Sequence, residues 1–154
     1  MAEVKLFNAC LSKAMALCSR REYCIADIRS RLLVWGLGEK DADKAIESLV
    51  MENFINEKRY SLAFVKDKFT YNRWGKVKIA SSLKMKKIPA DLIKTALESI
   101  EYDLYINTLK DLVLSHRKSV KARNSFELKG KLLRYGLSKG FESNLLYDLI
   151  NDIE

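Results

Sequence analysis

The chain has 154 residues, 48% hydrophobic and 31% charged, with one proline, six glycines, three cysteines and a formal net charge of +8. This composition describes a soluble, folded, helix-rich chain and excludes disordered and collagenous classes. No apolar run approaches the ~20 residues that span a bilayer, and Met1 to Lys13 lacks the basic-then-apolar order of a secretory signal, so a cytoplasmic location is expected.

Apolar residues recur at three- and four-residue spacing along the whole chain, the helical period. Leu6, Cys10, Ala14 and Leu17 mark a first helix, Ile28, Leu32 and Trp35 a second, and Ala42, Ala45, Ile46 and Leu49 a third. Tyr60, Phe64 and Phe69 follow as core positions of a fourth helix, and Ile79 and Leu83 as those of a fifth. The pattern then repeats. Asp27-Ile28-Arg29-Ser30-Arg31-Leu32-Leu33-Val34-Trp35-Gly36-Leu37 returns one hundred positions later as Glu127-Leu128-Lys129-Gly130-Lys131-Leu132-Leu133-Arg134-Tyr135-Gly136-Leu137. A copy displaced by fifty-one keeps Ile79, Leu83 and Ile88, and Ala96-Leu97-Glu98-Ser99-Ile100 echoes Ala45-Ile46-Glu47-Ser48-Leu49. The expected fold is therefore all-α, three tandem three-helix repeats over 1–56, 57–101 and 102–154, stacked into an elongated, curved molecule. Cys24, Gly75 and Asn124 fall at the N-cap of each second helix, with Glu127 completing a capping-box pattern. Gly36 and Gly136 fall where a left-handed residue closes it.

The charge is unevenly spread. Residues 1–56 hold eight basic and eight acidic side chains and residues 89–154 ten of each, whereas 57–88 holds ten basic against only Glu57 and Asp67. A basic centre in a neutral chain suits a polyanionic partner. Arg73, Lys76, Lys78, Lys84, Lys86 and Lys87 are the leading candidates for that contact, with Arg117, Lys118, Lys121 and Arg123 as a second cluster. Trp74, between Arg73 and Gly75, is read either as a stacking contact or as a staple at the helix entrance. Reversing charge at Lys84, Lys86 and Lys87 together is expected to weaken partner binding and leave folding intact.

Enzymatic readings find little support. The single histidine, His116, has no sequence neighbour to orient it as an acid or base and is expected to be exposed. Cys10, Cys18 and Cys24 contain no Cys-x-x-Cys pair and read as reduced core thiols. Neither a zinc ligand set nor a phosphate loop is present in the sequence, so no metal, cofactor or small-molecule substrate is expected.

Several segments carry a likeness to a known family. They are Ser19-Arg20-Arg21-Glu22-Tyr23 leading to Ile28-x-x-x-Leu32, then Phe54-Ile55-Asn56-Glu57-Lys58-Arg59-Tyr60-Ser61-Leu62-Ala63-Phe64-Val65. After these come Arg73-Trp74-Gly75-x-x-x-Ile79-x-x-x-Leu83 and Leu132-Leu133-Arg134-Tyr135-Gly136-Leu137. In this order they resemble the RecX family, bacterial modulators of the RecA recombinase. Two positions depart from that family's pattern: Cys24 stands where a small polar cap is usual, and Lys87 where glycine is common. If Lys87 is left-handed it costs roughly 1 kcal/mol relative to glycine. The resemblance implies a monomeric, non-enzymatic regulator that binds the groove of the RecA filament on single-stranded DNA. It further implies inhibition of recombinase and ATPase activity in DNA recombination, repair and the SOS response, and weak binding to bare single-stranded DNA. The alternative is a direct nucleic-acid-binding helical protein, such as a helix-turn-helix regulator, acting without RecA.

Overall fold

The computed structural model describes residues 1–153, and among them only helices and their connections occur. The order is α1 (Ala2–Arg20), α2 (Ile25–Val34), α3 (Glu39–Met51), α4 (Glu57–Thr70), α5 (Lys76–Met85), α6 (Ala90–Glu98), α7 (Tyr102–Arg117), α8 (Ser125–Ser138) and α9 (Ser143–Asn151). Extensive helix–helix contacts fall within the triads α1–α3, α4–α6 and α7–α9. None of these helices is long and apolar enough to cross a membrane. The molecule exposes 9911 Å². A compact monomer of this mass exposes about 8,000 Å², so the triads are strung out rather than gathered around one centre.

Small residues let the first triad pack tightly: Ala14, Ala42 and Ala45 are fully buried, so α1 and α3 approach closely beneath Ile28 and Leu32. Two cores result. One serves the first triad alone, and the other runs through the second and third triads without interruption. An aromatic column links those two, with Phe69 and Tyr105 centroids 5.7 Å apart and Tyr105 and Phe141 5.3 Å apart.

Each second helix ends in the same Schellman motif. Leu37 N–H donates to Leu32 carbonyl, Ile88 to Leu83 and Phe141 to Gly136, and the preceding residues Gly36, Lys87 and Gly140 make the companion bond. Leu37, Ile88 and Phe141 are buried as the apolar closure. Lys87 does take a positive φ, +62°, accepting the strain of a left-handed non-glycine. Gly136 corrects the sequence reading. The left-handed residue is Gly140 at φ +92°, because α8 runs one turn further than α2. Gly136 lies within the helix, where a Cβ would meet the Leu146 side chain at 2.2 Å, so it is there for contact with α9. Leu137, which follows Gly136 as Leu37 follows Gly36, is 45% exposed, whereas Leu37 is buried.

The second helices start at the expected N-cap residues, Cys24, Gly75 and Asn124. Cys24 and Gly75 supply no side-chain cap; N–H groups at the starts of α2 and α5 find acceptors in the next triad instead. Ile25 N–H donates to Glu57 Oε2 at 3.1 Å. At α5, Gly75 N–H donates to Lys139 carbonyl at 2.8 Å, Lys76 N–H to Tyr105 Oη at 2.9 Å, and Val77 N–H to Gly140 carbonyl at 2.9 Å. Only α8, with no triad after it among the described residues, caps itself: Asn124 Oδ1 accepts from Glu127 N–H at 2.8 Å.

Candidate functional site

The fold sorts the basic side chains singled out in the sequence into groups with different partners. Lys86 is a bridge between triads, its Nζ 2.6 Å from Asp27 Oδ1. That hydrogen bond holds the Lys86 pKa above its ordinary value. The pair belongs to a polar joint between the first and second triads, alongside Arg59 paired with Glu22 and Glu57 on the Ile25 N–H. Burial pushes the Glu57 carboxyl up, the Ile25 N–H pulls against it, and nearby Asp27 adds to the rise. Lys87 is exposed on the same side, in a cleft of about 550 Å³ with Ile25, Asp27 and Lys86, and Lys84 is exposed on the last turn of α5.

Lys76 and Lys78 stand at the joint with the third triad. Lys76 Nζ lies 4.9 Å from the centre of the Tyr105 ring, and Tyr105 donates its own proton to Glu142. Lys78 Nζ is 4.6 Å and Lys68 Nζ 5.0 Å from the Trp74 ring. Trp74 is half-buried against the core, with both cations over its ring.

Arg73 is different. Held at φ +53° between α4 and α5, it is exposed and lines a cleft of about 790 Å³ with Asp111, Leu114, Ser115, Arg117 and Lys118. Arg73 thus shares a cleft with Arg117 and Lys118 of the second cluster, across the second and third triads. Lys121 and Arg123 lie beyond, in the α7–α8 connection, where Lys131 Nζ donates to Lys121 carbonyl and Arg123 pairs with Glu127 at 2.8 Å.

Counting charge over the whole of 89–154 conceals the rest of that region. Residues 117–139 hold Arg117, Lys118, Lys121, Arg123, Lys129, Lys131, Arg134 and Lys139 against the single acid Glu127. The balancing acids lie toward either end, so a window of about twenty residues finds the surplus where the long average does not. His116 also departs from expectation: it is half-buried and stacked on Tyr135, with centroids 3.7 Å apart and planes within 5°. All three cysteines are free, and burial pushes the Cys24 thiol up to about 11, which makes it unreactive. Among the described residues no group of His, Cys, Asp and Glu could hold a metal ion.

Comparison with known proteins is consistent across sequence and fold. A family model described as RecX, second three-helix domain, matches residues 56–97, which contain nearly all of α4–α6. The regulatory protein RecX of Clostridium beijerinckii is 27% identical over 99% of this chain and 72% of its own length. That of Clostridium botulinum strain Eklund 17B is 33% identical over 82% of this chain, the match spanning 58% of that protein. Among solved structures, a regulatory protein RecX superposes with a TM-score of 0.87 at 20% identity, covering 98% of this chain and 74% of the other. RecX from Lactobacillus salivarius gives 0.82 at 19% identity, covering 97% of both chains.

Proposed function

The chain belongs to the RecX family of regulatory proteins, and from that premise we propose that it binds the RecA filament on single-stranded DNA and inhibits its recombinase and ATPase activity. It acts in the cytoplasm as a non-enzymatic monomer, controlling recombination and repair by occupying the filament groove. The units 1–56, 57–101 and 102–154 form one body that lies along successive filament subunits.

The observation that supports this reading is the cleft that Arg73 of the second unit lines together with Arg117, Lys118 and the single acid Asp111 of the third. A cationic surface that spans two repeats of an extended molecule is suited to a polyanionic partner that is itself extended. It also changes which residues test the idea. Reversing Lys86 would set a carboxylate against Asp27 and disturb the joint, so the informative pair is Arg73→Glu with Lys118→Glu, both exposed.

The test is the rate of ATP hydrolysis by RecA on single-stranded DNA, titrated with this protein, beside a binding curve to the same DNA alone. The expected result is inhibition at concentrations where bare DNA is mostly unbound, and its loss in the double variant with helical content unchanged. Inhibition that only follows competition for bare DNA overturns the proposal and favours a direct nucleic-acid binder, recognised by a steep fall in affinity with salt.

A further inference from the structure

The two ends of α7 carry opposite charge. Around its start, residues 95–109 hold Glu98, Glu101 and Asp103 and no basic side chain. All three carboxylates are exposed and none forms an ion pair among the described residues. Tyr102 and Leu104 beside them are 65% and 53% exposed. Beyond the other end lies the cationic surplus of 117–139, where Phe126 is 90% exposed and lines a cleft of about 450 Å³ with Arg123, Lys131 and Arg134. Glu127, the one acid there, is held between Arg123 at 2.8 Å and Lys131 at 3.2 Å, which leaves positive charge in excess.

Acids on the first turn of a helix and bases on its last suit the helix dipole, but that effect falls off within a turn. It does not account for Lys121 and Arg123, which lie beyond α7, or for Glu98, which closes α6 where an acid opposes the dipole. Nor does it give a reason for Tyr102, Leu104 and Phe126 to face solvent. Large apolar side chains rimmed by charge mark an interaction surface. The sixteen residues of α7 hold the acidic corner and the basic tip about 24 Å apart, so the two cannot meet within one chain.

We propose that they meet between chains: a second copy docks head to tail, the acidic corner of one copy on the basic tip of the next, with Phe126 seated against Tyr102 and Leu104. Opposite charge supplies the complementarity and fixes the orientation. The two surfaces differ, so the contact is heterologous, and a pair of copies still offers one free surface of each kind for further growth. A contact between two helix ends is smaller than a stable interface. It leaves the dilute chain monomeric and forms at high concentration.

The test is sedimentation equilibrium of the whole chain at low salt up to about 1 mM, with neither recombinase nor nucleic acid present, so its outcome is separate from that of the filament reading. The average mass is expected to rise past the dimer with concentration and to return to the monomer in about 0.5 M salt. Glu98→Lys with Glu101→Lys, and Lys121→Glu with Arg123→Glu, are each expected to weaken association about tenfold or more. An equal mixture of the two double variants is expected to restore it, since each supplies the surface that the other lacks, and restoration also shows that both are folded. Phe126→Ala is expected to weaken association at least about fivefold with helical content unchanged. The proposal is overturned if the native chain stays monomeric throughout, if its mass levels off at the dimer, or if any of these variants associates as the native chain does. Failure of the mixture to restore association also overturns it.

Discussion

Gly130 and Gly136 lie six residues apart on α8, and a methyl group added at each meets opposite surroundings. At Gly136 the new carbon would sit 2.2 Å from one terminal carbon of Leu146 and 2.9 Å from the other, in a side chain that is itself fully buried. Either Leu146 leaves its rotamer or α8 and α9 separate, and overpacking of this kind costs about 1–3 kcal/mol. At Gly130 the space is open, and alanine there should stabilise the helix by roughly 0.5–1 kcal/mol. Urea unfolding of G136A and G130A should therefore give shifts of opposite sign, and a shift of the same sign in both would show that Gly136 is not a packing residue. The sequence could not separate Gly136 from Gly36, because both follow the same run of apolar residues and precede leucine. What distinguishes them is the extra turn of α8: Leu137 faces solvent where Leu37 is buried, and Phe141, four residues on, takes the closing position in the core.

At the scale of the element, the recurring device is a second helix whose first N–H groups are satisfied by the following triad. Glu57 does this for α2, and its carboxylate carries a cost because burial raises its pKa above the ordinary 4.5. A raised carboxyl pKa means that the folded chain holds the proton more tightly than the unfolded one. This group's contribution to stability therefore falls as pH rises from about 4.5 through the raised value, and the penalty is absent below 4.5. Glu57→Gln keeps an oxygen for the Ile25 N–H and removes the charge, so its stability should vary less with pH across that window than the native chain's. Glu57→Ala loses the acceptor and should cost about 0.5–2 kcal/mol. Equal pH profiles for native and E57Q would show that the buried carboxylate does not control this joint. The same device explains what is legible in the sequence. Helical period, repeat length and the Asn124 cap are local signals and can be read there, whereas a cap supplied by another triad leaves no trace at Cys24 or Gly75. The candidate surface is obscured for a related reason: the charge count finds the basic middle unit, but only the fold shows that Lys86 is occupied by Asp27 while Arg73 and Lys118 line one cleft.

At the scale of the whole molecule, the two joints differ in kind. Between the second and third triads the core is continuous through Phe69, Tyr105 and Phe141. Between the first and second, Cys24 and Ala26 reach across into the neighbouring core, and the polar links include the part-exposed pairs of Glu22 with Arg59 and Asp27 with Lys86, together with the Glu57 cap. Part-exposed ion pairs contribute little, about 0–1 kcal/mol each, whereas a shared apolar core makes its elements unfold together. The first triad should therefore open separately from the other two. Leu32 and Leu132 are equivalent in the repeat and both fully buried, and alanine at either should cost about 2–5 kcal/mol. Their reach should differ. In native-state hydrogen exchange, Leu32→Ala is expected to lower protection in α1–α3 and spare the most protected amides of α4–α9. Leu132→Ala is expected to lower protection throughout α4–α9, including α5, whose first N–H groups depend on the third triad. If both variants reduce protection evenly from α1 to α9, the chain unfolds as one cooperative body and the polar joint couples its neighbours as firmly as the aromatic one.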